Sequence, residues 1–377
     1  MPTALTNEDL RTRARRRIPR AMFDYVDRGS YDEVTLAANR RAFERHAFRQ
    51  RVMVDVSQRD LRSEMLGEPT ALPLALGPTG LTGLVHADGE IHACRAAHAA
   101  GVPYCLSTAS ICSIEDVRAA VDRPFWFQLY IMRDRGFVAA LIERARVAGC
   151  PVLVVTVDLA AQGQRHQDFR NGLSVPPRLT VSNLLDMLAR PAWVARMLLG
   201  KRKTFGNFAG HLEMGSDVGA ITQWINAQFD SSLSWKDLDW LRARWPGKLV
   251  VKGVMDAEDA CEAMARGADA VVVSNHGGRQ LDGAPATLDA LPAIAQALQG
   301  QAELFLDGGV RSGQDIVKAL ALGADGCWLG RAFLYGLAAD GEAGVSRSIE
   351  IVRREIDTTL ALLGRPTVRG IDRSVLL

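Results

Sequence analysis

Residues 248–276 read KLVVKGVMDAEDACEAMARGADAVVVSNH. A β-branched apolar run, 248–254, is followed by a helical pattern over Asp256–Arg266, a stop at Gly267, and a second apolar run, 270–276. Neither run alternates apolar with polar residues. Near-continuous apolar runs of this length mark strands covered on both faces, as in a parallel sheet. A glycine just past a helix supplies the left-handed residue that lets the chain turn off. The stretch is therefore a strand–helix–strand unit. Working outward, the same signature recurs at 73–79 (PLALGPT), 103–109 (PYCLSTA), 124–130 (PFWFQLY), 151–158 (PVLVVTVD), 303–309 (ELFLDGG) and 326–331 (GCWLGR). Helical patterns at Asp88–Ala100, Asp134–Ala148 and Gly313–Leu322 again stop at glycines, namely Gly101, Gly149 and Gly323. Eight runs so connected predict an α/β fold, the (β/α)8 TIM barrel.

That fold needs about 250 residues, and the chain has 377. The excess falls in two places. Residues 1–70 read as an N-terminal helical segment, and the connection between the fourth run, ending near Asp158, and the fifth, starting near Lys248, is oversized. We expect one domain over 1–377, with the barrel at 71–363 and a long insertion, 172–214, after strand four. Composition agrees with a globular chain: 48% hydrophobic, 23% charged. The 45 basic and 43 acidic residues leave a net charge of +2, which argues against a nucleic-acid partner. The six cysteines form no C-x-x-C pair and read as buried free thiols of a reducing compartment. The N-terminus is polar and then basic, with no secretory core, and no stretch is apolar for long enough to span a bilayer.

In this fold the chemistry sits where strands end. Here the ends are unusually polar: Pro78-Thr79-Gly80, Ser107-Thr108-Ala109, Gln128-Leu129-Tyr130, Thr156-Val157-Asp158, Lys252, then Ser274-Asn275-His276, Asp307-Gly308-Gly309 with Arg311, and Gly330-Arg331. Taken singly, Asp158 reads equally well as a helix cap and Lys252 as a solvated rim charge. Taken together they are hard to ascribe to packing. Glycines and arginines after the last two strands suit a phosphate-bearing ligand. The most specific stretch is SNHGGRQLDGAP, 274–285. His276 is a base that works near neutral pH, and Arg279, three residues on, matches a carboxylate through two parallel bonds. A base beside a carboxylate clamp points to proton abstraction from a small hydroxy or keto acid.

SNHGGRQLDG resembles the signature of the FMN-dependent L-2-hydroxy acid oxidising enzymes, bacterial lactate and mandelate dehydrogenases above all. PTG, LSTAS, WFQLY, TVD, VKG, LDGGVRSG and GRAFLYGLA recur in that family's order, and the likeness is weakest between about 172 and 230. The resemblance implies oxidation of an L-2-hydroxy acid to the 2-keto acid with FMN as cofactor and no metal. It implies His276 as the base, Asp158 stabilising its protonated form, Arg279 and Tyr25 on the substrate carboxylate, and Tyr130 with Arg165 on the substrate oxygen. Lys252 would balance the charge that the flavin gains. Pro78, Thr79, Gly80, Ser107, Gln128, Thr156 and Ser274 would bind the ring and ribityl parts; Asp307, Gly309, Arg311, Gly330 and Arg331 would take the ribityl chain and phosphate. Ala109 lies where glycolate oxidase resembles a Trp-lined pocket, which implies a wider one here. LSTAS is similar to mandelate dehydrogenase, and RDRGF at 133–137 to lactate dehydrogenase, so the substrate stays open between the two. A homotetramer is also implied.

Residues 172–214 carry six cations and two anions, net +4, interleaved with Leu184, Leu185, Leu188, Trp193, Leu198 and Leu199. Basic and apolar residues around a Trp make an interfacial helix for an anionic membrane. Its position is similar to the membrane-binding insert of the mandelate dehydrogenase type. A peripheral protein on the cytoplasmic side of the inner membrane, passing electrons to a quinone, is the expectation. A lid or subunit contact fits the same composition, and a soluble cytoplasmic oxidase or monooxygenase that uses oxygen is the alternative.

Overall fold

The computed structural model describes residues 3–173, 180–208, 224 and 227–377. After three helices, Asn7–Arg17, Arg20–Asp27 and Val34–Glu44, come two short antiparallel strands, β1 (Ser63–Met65) and β2 (Glu68–Thr70). Eight parallel strands follow: β3 (Leu74–Leu76), β4 (Cys105–Ser107), β5 (Trp126–Leu129), β6 (Val152–Thr156), β7 (Lys248–Val254), β8 (Ala270–Val273), β9 (Glu303–Asp307) and β10 (Gly326–Leu329). Each lies inside a run read as a strand. They pair in the order β3-β10-β9-β8-β7-β6-β5-β4, and a parallel bridge between Leu76 and Tyr104 brings the two end strands together. The result is a (β/α)8 barrel.

Side chains from alternate positions fill its interior. Ala75, Trp126, Val154, Val250, Phe305 and Trp328 form one buried cluster inside the barrel, while their neighbours pack outward on the helices. The helices start where the sequence caps them. Asp134 accepts from the Phe137 N–H at 2.9 Å, Asp256 from that of Glu258 at 2.8 Å, and Ser312 and Asp315 bond each other's backbone in a capping box.

The N-terminal segment corrects one expectation. Residues 1–70 are helical only as far as Glu44; then the chain is extended. Leu66 and Gly67 both adopt positive φ (57° and 83°), the two-residue turn that joins twisted antiparallel strands. This β1–β2 hairpin inserts Met65 and Leu66 into the interior cluster, and the Leu66 N–H donates to Glu303 at 2.8 Å. It plugs the barrel, a tertiary role that a helical reading of the segment misses.

The insertion between β6 and β7 contributes helices His166–Arg170, Val181–Leu188, Pro191–Leu199 and Trp235–Arg242. Within the expected 172–214 segment, residues 174–179 and 209–214 lie outside the described residues. No helix among the described residues is long and apolar enough to cross a membrane.

Candidate active site

The N-terminal segment covers the rim where the strands end. The Ser30 N–H donates to the Gly278 carbonyl at 2.9 Å, and the Asp282 carboxylate accepts from the N–H groups of Asp32 and Thr35. Buried Asp24 accepts from Asn171 Nδ2 at 2.8 Å and so fastens the helix Arg20–Asp27 to the start of the insertion. This brings Tyr25 to the barrel mouth, where the Arg279 guanidinium lies over its ring at 4.8 Å.

Beneath the cover is a cavity of about 410 Å³. All but five of the residues given a catalytic, substrate or cofactor role by the resemblance line it. The five, Ser107, Gln128, Thr156, Asp158 and Ser274, stand just behind its wall; the first three and Ser274 are nearly inaccessible.

His276 sits at φ 56°, a conformation that costs a non-glycine residue about 1–3 kcal/mol and persists only where its surroundings impose it. Asn275 and Asn39 impose it, exchanging side-chain hydrogen bonds at 2.8 and 2.9 Å, and the His276 N–H donates to Ser274 Oγ at 3.1 Å. The strained turn aims the imidazole at Asp158, whose carboxylate oxygens lie 3.0 and 3.2 Å from Nδ1. Asp158 is therefore no helix cap. Burial opposes its charge, but His276 outweighs that and holds the carboxyl below its ordinary range. A carboxylate only accepts, so Nδ1 carries the proton and Nε2 is left as the free base. Burial lowers the His276 pKa against the upward pull of Asp158.

Lys252 is no solvated rim charge. Its ammonium is buried, 2.8 Å from Asp307 Oδ2 and 2.8 Å from Ser274 Oγ, which itself donates to Asp307 at 2.8 Å. Burial would discharge the lysine, but the carboxylates of Asp307 and Asp158 keep its pKa above the ordinary value. A register shift between Lys252 and Val254 makes room for this arrangement. A Cβ on Gly253, which has φ 109°, would fall 2.8 Å from the Asp158 side chain. The Asp307 carboxylate is thus committed to Lys252.

Two pairs of arginines remain under-neutralised. Burial, then Arg279, bring the Arg165 pKa down to about 10; burial, then Arg311, do the same for Arg331. None of the four is in an ion pair among the described residues; Arg331 is buried and the other three are half-buried, and buried guanidinium groups are normally paired. Arg331 spends its donors on the Val26, Gly277 and Arg28 carbonyls. The cavity thus presents two places for an anion: one pair beside His276 and Tyr130, the other on the loops after β9 and β10. Burial and Asp158 push the Tyr130 hydroxyl pKa up, so it remains a proton donor.

A family model described as FMN-dependent dehydrogenase matches residues 14–377. The chain belongs to the FMN-dependent dehydrogenase family. It is 47% identical to an L-lactate dehydrogenase of Caulobacter vibrioides over 369 residues, 98% of this chain and 96% of that one. It is 44% identical to an L-lactate dehydrogenase of Vibrio cholerae over 370 residues, 98% of both. A crystal structure of the monotopic membrane protein (S)-mandelate dehydrogenase superposes with a TM-score of 0.95 at 39% identity, covering 100% of both chains. A soluble mutant of the membrane-associated (S)-mandelate dehydrogenase from Pseudomonas putida, also 39% identical, gives 0.84 while covering 100% of this chain and 99% of that one.

The cofactor of this FMN-dependent dehydrogenase is FMN, and the residues fit it. Gln128 Nε2 is buried without a hydrogen-bond partner among the described residues, a costly state that a ring carbonyl or ribityl oxygen would relieve. The Arg311–Arg331 pair suits the phosphate, and the Lys252 ammonium would supply a fixed cation for the ring. Sequence reasoning missed the Asn39–Asn275 pair and the apolar wall formed by Phe169, Phe205 and Phe229. Asn275 lies inside the quoted signature and was reachable from it. Phe205 and Phe229 fall in the stretch of weakest resemblance, Phe169 lies just before it, and none gave a signal.

Proposed function

We propose that the protein oxidises an L-2-hydroxy acid to the 2-keto acid. The observation that carries this reading is the free Nε2 of the His276–Asp158 pair opening into the same cavity as the Arg165–Arg279 pair. In this reading Arg279, with Tyr25, holds the substrate carboxylate, and Tyr130 and Arg165 hold the hydroxyl oxygen. His276 Nε2 takes the hydroxyl proton, and Asp158 stabilises the imidazolium that forms. Bound FMN supplies the acceptor for the two electrons released with the α-hydrogen, and Lys252 is the cation beside it. Pro78, Thr79, Gly80, Ser107, Gln128, Thr156 and Ser274 hold the ring and ribityl parts. Gly309, Arg311, Gly330 and Arg331 take the ribityl chain and phosphate, and Asp307 acts through Lys252.

We further propose that the protein lies on the cytoplasmic face of the inner membrane as a homotetramer and hands its electrons to a quinone. Leu184, Leu185, Leu188, Leu198 and Leu199 are exposed by 53–84% on the two helices after residue 180, among Arg190, Arg196, Lys201 and Lys203. The superposition on a protein described as monotopic, with a TM-score of 0.95, supports the same reading. The test is anaerobic: L-lactate and (S)-mandelate are added to the purified yellow protein and the flavin absorbance is followed. Rapid bleaching by either is the expected result, and the faster of the two names the substrate type. Bleaching by neither overturns the substrate class. Re-oxidation of the bleached protein by a soluble quinone but only slowly by oxygen is expected, and rapid re-oxidation by oxygen would make it an oxidase.

A further inference from the structure

The membrane-facing segment does more than carry exposed leucines. The helix Pro191–Leu199 and the residues just after it are stitched to the segments that follow β3 and β4. Trp193 Nε1 donates to the Leu84 carbonyl at 3.1 Å, and Arg202 pairs with Asp88 at 2.7 Å and Asp116 at 2.8 Å. The chain then lies flat on the β4 loop. The Gly206 N–H donates to the Ser110 carbonyl at 3.1 Å, and a Cβ at residue 206 would fall 2.5 Å from the Ser113 nitrogen, so only glycine permits the approach.

Asn207 is the hub. Its side chain is wholly buried. Nδ2 donates toward the Ser107 and Thr108 carbonyls and Ser110 Oγ at 3.0–3.2 Å, and Oδ1 accepts from the Ile114 N–H at 2.9 Å. Two residues earlier, Phe205 lines the cavity, as does Ala109 of the β4 loop, and packs edge-on against Phe208 at 5.8 Å. One residue thus fixes both the β4 loop and the phenylalanine that faces the cavity beside it.

We propose that Phe205 sets which 2-hydroxy acid side chains the cavity accepts, and that Asn207 is the positioning residue that holds Phe205 against the Ala109 loop. The proposal rests on the function given above. An apolar wall acts on the side chain of the substrate and not on its carboxylate or hydroxyl. Changing it therefore alters the choice between a methyl and a phenyl substituent and leaves the His276 chemistry in place. The effect belongs in KM more than in kcat, because such contacts are held alike in the ground and transition states.

The experiment uses the full-length, FMN-loaded protein and a soluble dye acceptor. It measures kcat/KM for (S)-mandelate and L-lactate in the parent, Phe205→Ala, Asn207→Ala and Asn207→Asp, the last keeping the acceptor for Ile114 while losing the donors. The ratio of the two kcat/KM values is independent of how much protein is folded, so a merely structural role does not move it. A shift of at least threefold in that ratio, in the same direction for Phe205→Ala and at least one Asn207 variant, is the expected result. A smaller shift in Phe205→Ala overturns the specificity role; a smaller shift in every folded Asn207 variant overturns the positioning role. A parent that oxidises neither acid overturns the function reading and this one with it.

Discussion

At the scale of single residues the proposed reaction needs a buried imidazole that is neutral yet ready to become charged. Burial favours the neutral form of His276, and Asp158, 3.0 Å from Nδ1, makes the charged form tolerable once the proton arrives. The two influences can be separated by experiment. His276→Ala removes the base and should cost about two to four orders of magnitude in kcat, with FMN absorbance unchanged because the FMN contacts proposed here lie elsewhere. Asp158→Asn keeps an acceptor near Nδ1 but removes the charge. Since Asp158 raises the His276 pKa, its loss lowers that pKa further. The acid limb of the kcat/KM profile, where activity falls as His276 becomes protonated, should therefore move to lower pH even as kcat drops. An acid limb that stays in place or moves upward would remove His276 as the group being titrated. Neither pairing partner could be chosen with confidence from residue types alone, because Asp158 after a strand has the same local sequence as a cap.

At the scale of elements, what the sequence disclosed depended on whether the signal was local. The eight barrel strands were legible because burial on both faces demands continuous apolar residues, and the helix ends because a glycine marks them. The hairpin over 63–70 was not, because its strands are three residues each and its worth comes from Met65 reaching the barrel interior. The helices Val181–Leu188 and Pro191–Leu199 lie between these cases. Their composition was plain, but their attachment to the β3 and β4 loops through Trp193, Arg202 and Asn207 was not. That attachment decides how to test membrane binding. A deletion reaching residue 205 would take the cavity wall with it, whereas substitution of Leu185, Leu188 and Leu199, exposed by 62%, 64% and 84%, touches only the outer face. Each buried leucine is worth about 1.5–3 kcal/mol, so replacing all three with Gln should weaken binding to vesicles containing anionic lipid by well over tenfold. Turnover with a soluble dye acceptor should persist within about twofold. Retained vesicle binding in that variant would move the contact elsewhere, and lost dye turnover would mean the helices support the site itself.

At the scale of the whole molecule, residues as far apart in sequence as Tyr25 and Arg331 meet in one cavity because a parallel barrel brings every strand end to a single rim. That rule is why most of the candidate residues could be read from the chain in order, with Tyr25, which lies outside the barrel, and Arg165, which lies beyond the end of β6, supplied only by resemblance. Which of them bond one another is tertiary information. Asn39 and Asn275 are 236 positions apart and share no motif. The same assembly leaves the Arg311–Arg331 pair without an ion-pair partner, and Gln128 Nε2 without a hydrogen-bond partner, among the described residues, which suits an anion and a ring or ribityl oxygen. Folding must then be linked to the cofactor, since a group that binds only the native state stabilises it by RT ln(1 + [L]/Kd), about 2.7 kcal/mol at one hundred times Kd. Stripping FMN should lower the melting temperature by several degrees, and returning FMN should restore it. Inorganic phosphate at millimolar concentration should restore part of the loss, because it occupies the arginine pair without relieving Gln128. In Arg311→Gln that phosphate response should shrink, while riboflavin, which has the ring and ribityl chain but no phosphate, should still stabilise. If phosphate does nothing for the stripped parent, the loops after β9 and β10 are not the phosphate end, and the orientation of FMN in the cavity must be reversed.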